Sequence, residues 1–305
     1  PVKKTSKIVP TRQCPLERSD HWCGAMRKAG GRVEGSEVAM QAGGWRATVW
    51  KYIEVTKSSS VALLVVTCFG AMVAAGGVGG LSLGGWFLAL VSITAGCASA
   101  DTLTCYIDRD IDALMDRTRG RPLPGKRIHP PEKALVWGLF LGALSLVIAF
   151  LLHPLAGLWM FLGLFDNVVI YSLLVKRRSC TNILLGSVSG GMPALFGWAV
   201  VQGNVSWTAV LLSLLVITWT PNHIWNLAIR YREDYARANV PMLPVTTSAR
   251  TAALWGLIHG IGAGAAGVGL AFRPDMGPVY TIPVVIATAV LLWQGTALVI
   301  EPTKP

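Results

Sequence analysis

The chain has 305 residues, 52% of them hydrophobic and 14% charged, with a mean hydropathy of +0.51 and a formal net charge of +11. That composition excludes a soluble globular domain and a disordered chain, and identifies an integral membrane protein. A nucleic-acid partner is not expected, because the basic residues form no stripe with aromatic or motif support.

Residues 1–50 are polar and charged and lack the apolar core of a signal peptide. They are predicted to form a polar cytoplasmic arm ahead of a transmembrane domain over 51–305. Eight apolar stretches follow, roughly Val61–Val78, Leu81–Ala100, Ala134–Leu152, Leu155–Val175, Asn182–Val201, Val205–Trp225, Thr251–Ala271 and Val279–Ile300. Each is long enough to cross a bilayer as a helix. The predicted fold is an all-α membrane protein, a bundle of about eight to nine transmembrane helices around a central cavity.

Of the 27 Lys and Arg residues, 25 lie before residue 58 or in the loops at 101–133, 176–178 and 230–250, which are alternate connections. The positive-inside rule then places both termini and the charged loops on the cytoplasmic side. The six cysteines show no metal-type spacing and read as small apolar side chains.

The first charged loop opens on Cys105-Tyr-Ile-Asp108-Arg-Asp110-Ile-Asp112 and continues to Asp116, Arg117, Arg119 and Arg121. Asp108 and Asp112 are four apart, so a helix would put both carboxylates on one face, with Thr104 and Asp101 upstream on the same face. Two carboxylates so placed suit a hard cation such as Mg2+, and nearby arginines suit the oxygens of a diphosphate. The alternative is an exposed helix laced with ion pairs. The second loop, Trp225-Asn226-Leu-Ala-Ile-Arg230-Tyr231-Arg232-Glu233-Asp234-Tyr235, repeats the combination of amide, arginine and carboxylate four spans later. Two helical half-repeats closing into one bundle would bring both loops over one cavity. Asp166 and Asn167 fall inside the fourth span, where an ionisable side chain is costly, and are expected to line the acceptor side of that cavity.

Taken together these residues resemble the UbiA-type intramembrane prenyltransferases, and within them the heme O synthase branch. The superfamily's N-x-x-x-D-x-x-x-D motif is matched by Thr104, Asp108 and Asp112, and its R-[ST]-x-x-R element by Arg117-Thr118-x-x-Arg121. The segment from Tyr171 through Lys176-Arg177-Arg178 to Asn182-Ile183 is similar to a branch motif, as are Gly191-Met-Pro193, Gly197-Trp198, Thr220-Pro221-Asn222-His223-Ile-Trp225 and the run from Asp234-Tyr235 to Pro241-Met242-Leu243-Pro244. The departures are Thr104 for the motif Asn, Lys126 and Asn239 for glycines, Asn222 for a proline, Ser187 in a Gly-Gly pair, and Lys57-Ser58-Ser59 for K-P-R.

The resemblance implies Mg2+-dependent transfer of an isoprenyl chain, farnesyl by family default, from its diphosphate to an aromatic acceptor, by default protoheme IX, in a bacterial cell membrane. It implies Asp108, Asp112 and Asp234 as metal ligands. Arg117, Arg121, Lys176 and Arg230 would hold the diphosphate. Asp101, Thr104, Tyr171, Asn182, Asn226, Asp166 and Asn167 are further substrate-binding candidates. His223 is a candidate to touch the acceptor, act as a base or ligate heme iron. Lys57, Arg177 and Arg178 read as cytoplasmic anchors. A non-heme, quinone-like acceptor, a terpene cyclase on the same fold and a transporter remain as alternatives.

Overall fold

The computed structural model describes residues 44–273 and 276–302. Contacts divide the chain into units 1–49 and 50–305. Only 44–49 of the first are described, so the predicted polar arm lies almost wholly outside the described residues.

The described residues are helical and contain no strand. Helix α1 (Trp45–Val55) crosses the unit boundary, and α2 (Ser58–Ala74), the short α3 (Gly77–Gly80) and α4 (Leu83–Ile107) follow. Next come α5 (Arg109–Leu114), α6 (Glu132–Leu152) and α7 (Pro154–Phe165), which runs into a π-helical segment over Asp166–Val175. The remainder is α8 (Asn182–Gln202), α9 (Trp207–Arg230), the short α10 (Arg232–Arg237) and α11 (Leu243–Thr246), then α12 (Ala249–Ala271) and α13 (Pro278–Ile300).

Six of these helices are long and apolar enough to cross a membrane, with a seventh if α1 and α2 form one bent span. The predicted count of eight to nine is not reached on length and composition. Helix α2 has 17 residues. Helix α9 is long enough at 24 residues, but Thr220, Asn222, His223 and Asn226 dilute its apolar character. Helix α13 leaves Val279, Ile282 and Trp293 on its surface, as expected of a helix facing lipid.

Small residues let the helices approach closely. Ser92 and Ser99 of α4 donate to the carbonyls of Ser145 and Gly138 on α6 at 2.9 and 2.7 Å. A Cβ on Gly197 of α8 would lie 2.6 Å from the Cys68 carbonyl of α2, and one on Gly191 would lie 2.4 Å from Ser213 Oγ of α9. Asn222 ties α9 to α12 by donating to the Gly256 carbonyl at 2.8 Å, a bond that a proline at this position could not make.

Two local features depart from regular α-helix. Helix α4 extends past Ala100 to Ile107 and breaks at Asp108, where the backbone turns to φ −93 and ψ 6 before α5. The break frees the Ile107 carbonyl, which accepts from the Arg177 guanidinium at 2.8 Å instead. The Asp112 amide still bonds the Asp108 carbonyl at 2.8 Å, so the two aspartates keep their one-turn relation. In the π-helical segment the Lys176 amide bonds the carbonyl of Tyr171, five residues back, at 2.8 Å. A π-turn re-aims side chains relative to an α-helix, and here it brings the Lys176 ammonium within 5.5 Å of the Tyr171 ring centre.

Candidate active site

A cavity of about 550 Å³ lies among α2, α4, α7 with its π-helical extension, α8 and α9. Its wall is mainly apolar, with Asp101, Asn167, Tyr171 and His223 among the polar exceptions. At Tyr171 the wall adjoins the charged residues. There the buried Asp108 carboxylate accepts from Lys176, which sits against Tyr171. Burial opposes the Lys176 charge, but the neighbouring Tyr171 and Asp108 side chains hold its pKa above the ordinary value.

The two charged loops are joined by a shared apolar cluster, with Ile111 and Met115 from the first and Tyr235, Val240 and Met242 from the second, closed by Trp225 and Ile183. Above it, Thr118 donates to the Asp112 carbonyl at 2.9 Å and folds the R-T-x-x-R element back. Arg121 thereby reaches the Asp112 carboxylate at 2.8 Å. Arg117 turns to the second loop, where its backbone amide donates to Asp234 at 3.3 Å and its side chain donates to the Tyr235 hydroxyl at 3.4 Å. The guanidiniums of Arg117 and Arg230 lie 5.2 and 5.8 Å from the Tyr231 ring. Burial acts to raise the Asp234 pKa, but hydrogen bonds from Arg237 and from the Arg117 and Asp116 amides prevail and hold it below the usual carboxylate range.

Each predicted metal-ligating carboxylate therefore has its own cation: Lys176 for Asp108, Arg121 for Asp112 and Arg237 for Asp234. Among the described residues no three Asp, Glu, His or Cys side chains converge as a metal site. The expected three-carboxylate cluster is not assembled, because ion pairs neutralise its members separately. The residues nonetheless suit Mg2+, which commonly binds through one or two carboxylates and completes its shell with water and substrate phosphate. Asp108 Oδ1 is buried without a hydrogen-bond partner, with Arg177 3.8 Å away, leaving an oxygen for a cation beside Asp112.

Other candidates sit elsewhere. Thr104 donates to Asn167 Oδ1 at 3.0 Å and lies 3.3 Å from Ser172 Oγ, so its hydroxyl is engaged inside the bundle. Asp166 is buried and accepts from the Ser189 amide of α8 at 2.8 Å, whereas Asn167 lies in the cavity wall. Asn182 is buried and donates to the Lys176 carbonyl at 3.1 Å, fixing the turn between π-helical segment and α8. The Asn226 side chain faces Gly256 of α12.

Several contributors were not assigned to the site from sequence. Lys57 pairs at 3.0 Å with Asp101 in the cavity wall, and Arg177 clasps Asp110 at 2.6 and 2.7 Å. Trp219 stacks on His223 with ring centres 4.8 Å apart. The four-residue spacing of that pair on an apolar helix was the available signal.

This geometry, a carboxylate and guanidinium cap over an apolar intramembrane cavity, defines a multi-pass membrane prenyltransferase. The UbiA prenyltransferase family matches residues 63–304, and the chain belongs to it. The chain is 47% identical over 276 residues to the protoheme IX farnesyltransferase of Desulforudis audaxviator (strain MP104C), covering 90% of this chain and 86% of that protein. It is 41% identical to protoheme IX farnesyltransferase 2 of Cenarchaeum symbiosum (strain A), over 83% of this chain and 87% of that one. Among solved structures the fold is similar to a UbiA homologue from Aeropyrum pernix K1, with TM-score 0.67, 18% identity, and coverage of 80% of this chain and 91% of that one. It is also similar to an Archaeoglobus fulgidus UbiA homologue bound to GPP and Mg2+, with TM-score 0.52, 18% identity, and coverage of 82% and 99%.

Proposed function

We propose that this chain transfers a farnesyl group from its diphosphate to protoheme IX. The observation that carries the proposal is the pairing of Asp112 with Arg121 and of Asp108 with Lys176, whose ammonium lies against Tyr171 in the mainly apolar wall of the cavity. The identity to proteins named protoheme IX farnesyltransferase over most of the chain supports the choice of acceptor.

Asp108 and Asp112 would hold Mg2+, with Asp234 closing from the second loop. When bound, the metal offsets charge that develops on the departing diphosphate. Lys176, Arg121 and Arg117 exchange their present partners for diphosphate oxygens and hold the leaving group at the mouth of the cavity. The prenyl chain lies along the apolar wall, which excludes water from the allylic cation. The ring faces of Tyr171 and Trp219 stabilise that cation. The charged loops face the cytoplasm, where a soluble diphosphate ester enters.

Purified protein in detergent, given Mg2+, farnesyl diphosphate and protoheme IX, is expected to yield a farnesylated heme by mass spectrometry. Conversion of farnesyl diphosphate to a cyclised hydrocarbon or alcohol without heme would overturn the proposal.

A further inference from the structure

We infer that Ile93, Met160 and Phe196 form the floor of the cavity and set the length of prenyl chain it accepts, farnesyl in preference to geranylgeranyl; this rests on the prenyl donor proposed above. On α4 the cavity wall runs inward from Asp101 through Cys97 to Ile93 and stops there, and on α8 it stops at Phe196. Ile93, Met160 and Phe196 belong to one apolar cluster and are 2, 5 and 1% exposed, so each presents little more than a tip to the cavity. One turn further along α4 and α8, Ala89 and Val200 are buried in the same cluster and take no part in the wall. Beyond them the helices are in close contact, with the Cys68 carbonyl 2.6 Å from where a Cβ on Gly197 would lie. The cavity therefore ends on packed core, and Phe196 is among the largest side chains that close it.

Helix rise gives the depth. Tyr171, where the wall adjoins the charged residues, lies level with Gly186 of α8, on which a Cβ would meet the Tyr171 ring at 2.5 Å. Gly186 to Phe196 on α8 then spans about 15 Å, and Asp101 to Ile93 on α4 about 12 Å, at ~1.5 Å per residue. An extended farnesyl chain reaches about 13 Å at roughly 1.2 Å per bond, and geranylgeranyl, one isoprene unit longer, about 18 Å. With its diphosphate at the charged residues, the first chain ends on the floor. The second must fold back or displace Phe196, and a close-packed core resists both. A geranyl chain stops short and leaves the floor uncovered, so it loses the burial of one isoprene unit.

The full chain in detergent, with Mg2+ and without heme, is titrated calorimetrically with the non-hydrolysable thiolodiphosphates of geranyl, farnesyl and geranylgeranyl chains. The wild type is expected to bind the farnesyl analogue at least about tenfold tighter than either of the others. Phe196→Ala and the milder Ile93→Ala deepen the cavity and are expected to bring the geranylgeranyl analogue level with the farnesyl one. Cys97 lies in the wall one turn nearer the charged residues on the same face as Ile93. Cys97→Phe raises the floor and is expected to turn the preference to the geranyl analogue. Each ratio is taken within one preparation, so loss of folded protein in one variant does not move it. Wild-type ratios in all three variants, or equal affinity of the wild type for the farnesyl and geranylgeranyl analogues, overturn the assignment and leave the donor proposal standing. Failure of the wild type to bind any of the three analogues overturns both.

Discussion

The carboxylate of Asp234 accepts the backbone amide of Arg117 at 3.3 Å, so residues 117 positions apart join the two charged loops. The bond comes from the main chain, which leaves the Arg117 guanidinium free to turn toward Tyr231 and Tyr235. Asp234→Asn keeps an acceptor oxygen for that amide but loses the charge. It is expected to lower Mg2+-dependent diphosphate release by roughly 10²-fold, on the scale of other electrostatic stabilisers, with little change in thermal stability. Equal loss of stability and turnover would make Asp234 a loop fastener only.

Lys176 and Asp108 form a deeply placed pair, with side chains 14% and 2% exposed. Removing one partner leaves the other charge buried, at a cost of about 3–5 kcal/mol. Lys176→Met should therefore sharply lower the apparent unfolding temperature in detergent, and Lys176→Met with Asp108→Asn should recover most of it. Additive losses would show that the two side chains do not interact.

Lys126 and Asn239 occupy left-handed backbone, at φ 53 and 52, where the resemblance expects glycine. Each ends a turn closed by a bond spanning five residues, Arg127 amide to Pro122 carbonyl at 2.8 Å and Val240 amide to Tyr235 carbonyl at 3.0 Å, the geometry of a Schellman cap. Lys126→Gly is expected to stabilise by about 1 kcal/mol, and Asn239→Gly by less, because asparagine tolerates this region. Thermal unfolding of the two variants checks the order.

How much of this was legible in the sequence follows from the physics of each feature. Apolar stretches of bilayer length announce themselves locally, so Ala134–Leu152 and Thr251–Ala271 were predicted within two residues of α6 and α12. The one-turn relation of Asp108 to Asp112 was also readable. The break at Asp108 was not, because it depends on Arg177 taking over the Ile107 carbonyl from 70 positions away. Likewise nothing local says that Lys57 will pair with Asp101 or Lys176 with Asp108. The π-helical segment has no periodicity that distinguishes it from an apolar α-helix, and Asp166, expected in the cavity, instead bonds the Ser189 amide.

Gly197 packs against the Cys68 carbonyl, where a Cβ would lie at 2.6 Å, whereas Gly120 has nothing within 4 Å. Backbone cannot yield as a side-chain tip can. Gly197→Ala should destabilise by about 1–3 kcal/mol and Gly120→Ala by no more than about 0.5 kcal/mol, as measured by thermal unfolding.

Asp110 is held below the ordinary carboxylate range chiefly by its hydrogen bonds with Arg177. A depressed folded-state pKa gives stabilisation that is full above the unfolded value, about 4, and is lost as pH falls through the folded value. Asp110→Asn should lower the unfolding temperature on the neutral plateau and flatten its decline below about pH 4, so that the two proteins converge in acid.

The most direct test of the account is diphosphate release from farnesyl diphosphate by wild type and Asp108→Asn, each with and without Mg2+ and protoheme IX. The account predicts release that requires both Mg2+ and heme and that falls by roughly 10²-fold or more in Asp108→Asn. Release by Asp108→Asn at the wild-type rate, or wild-type release indifferent to heme, would contradict it.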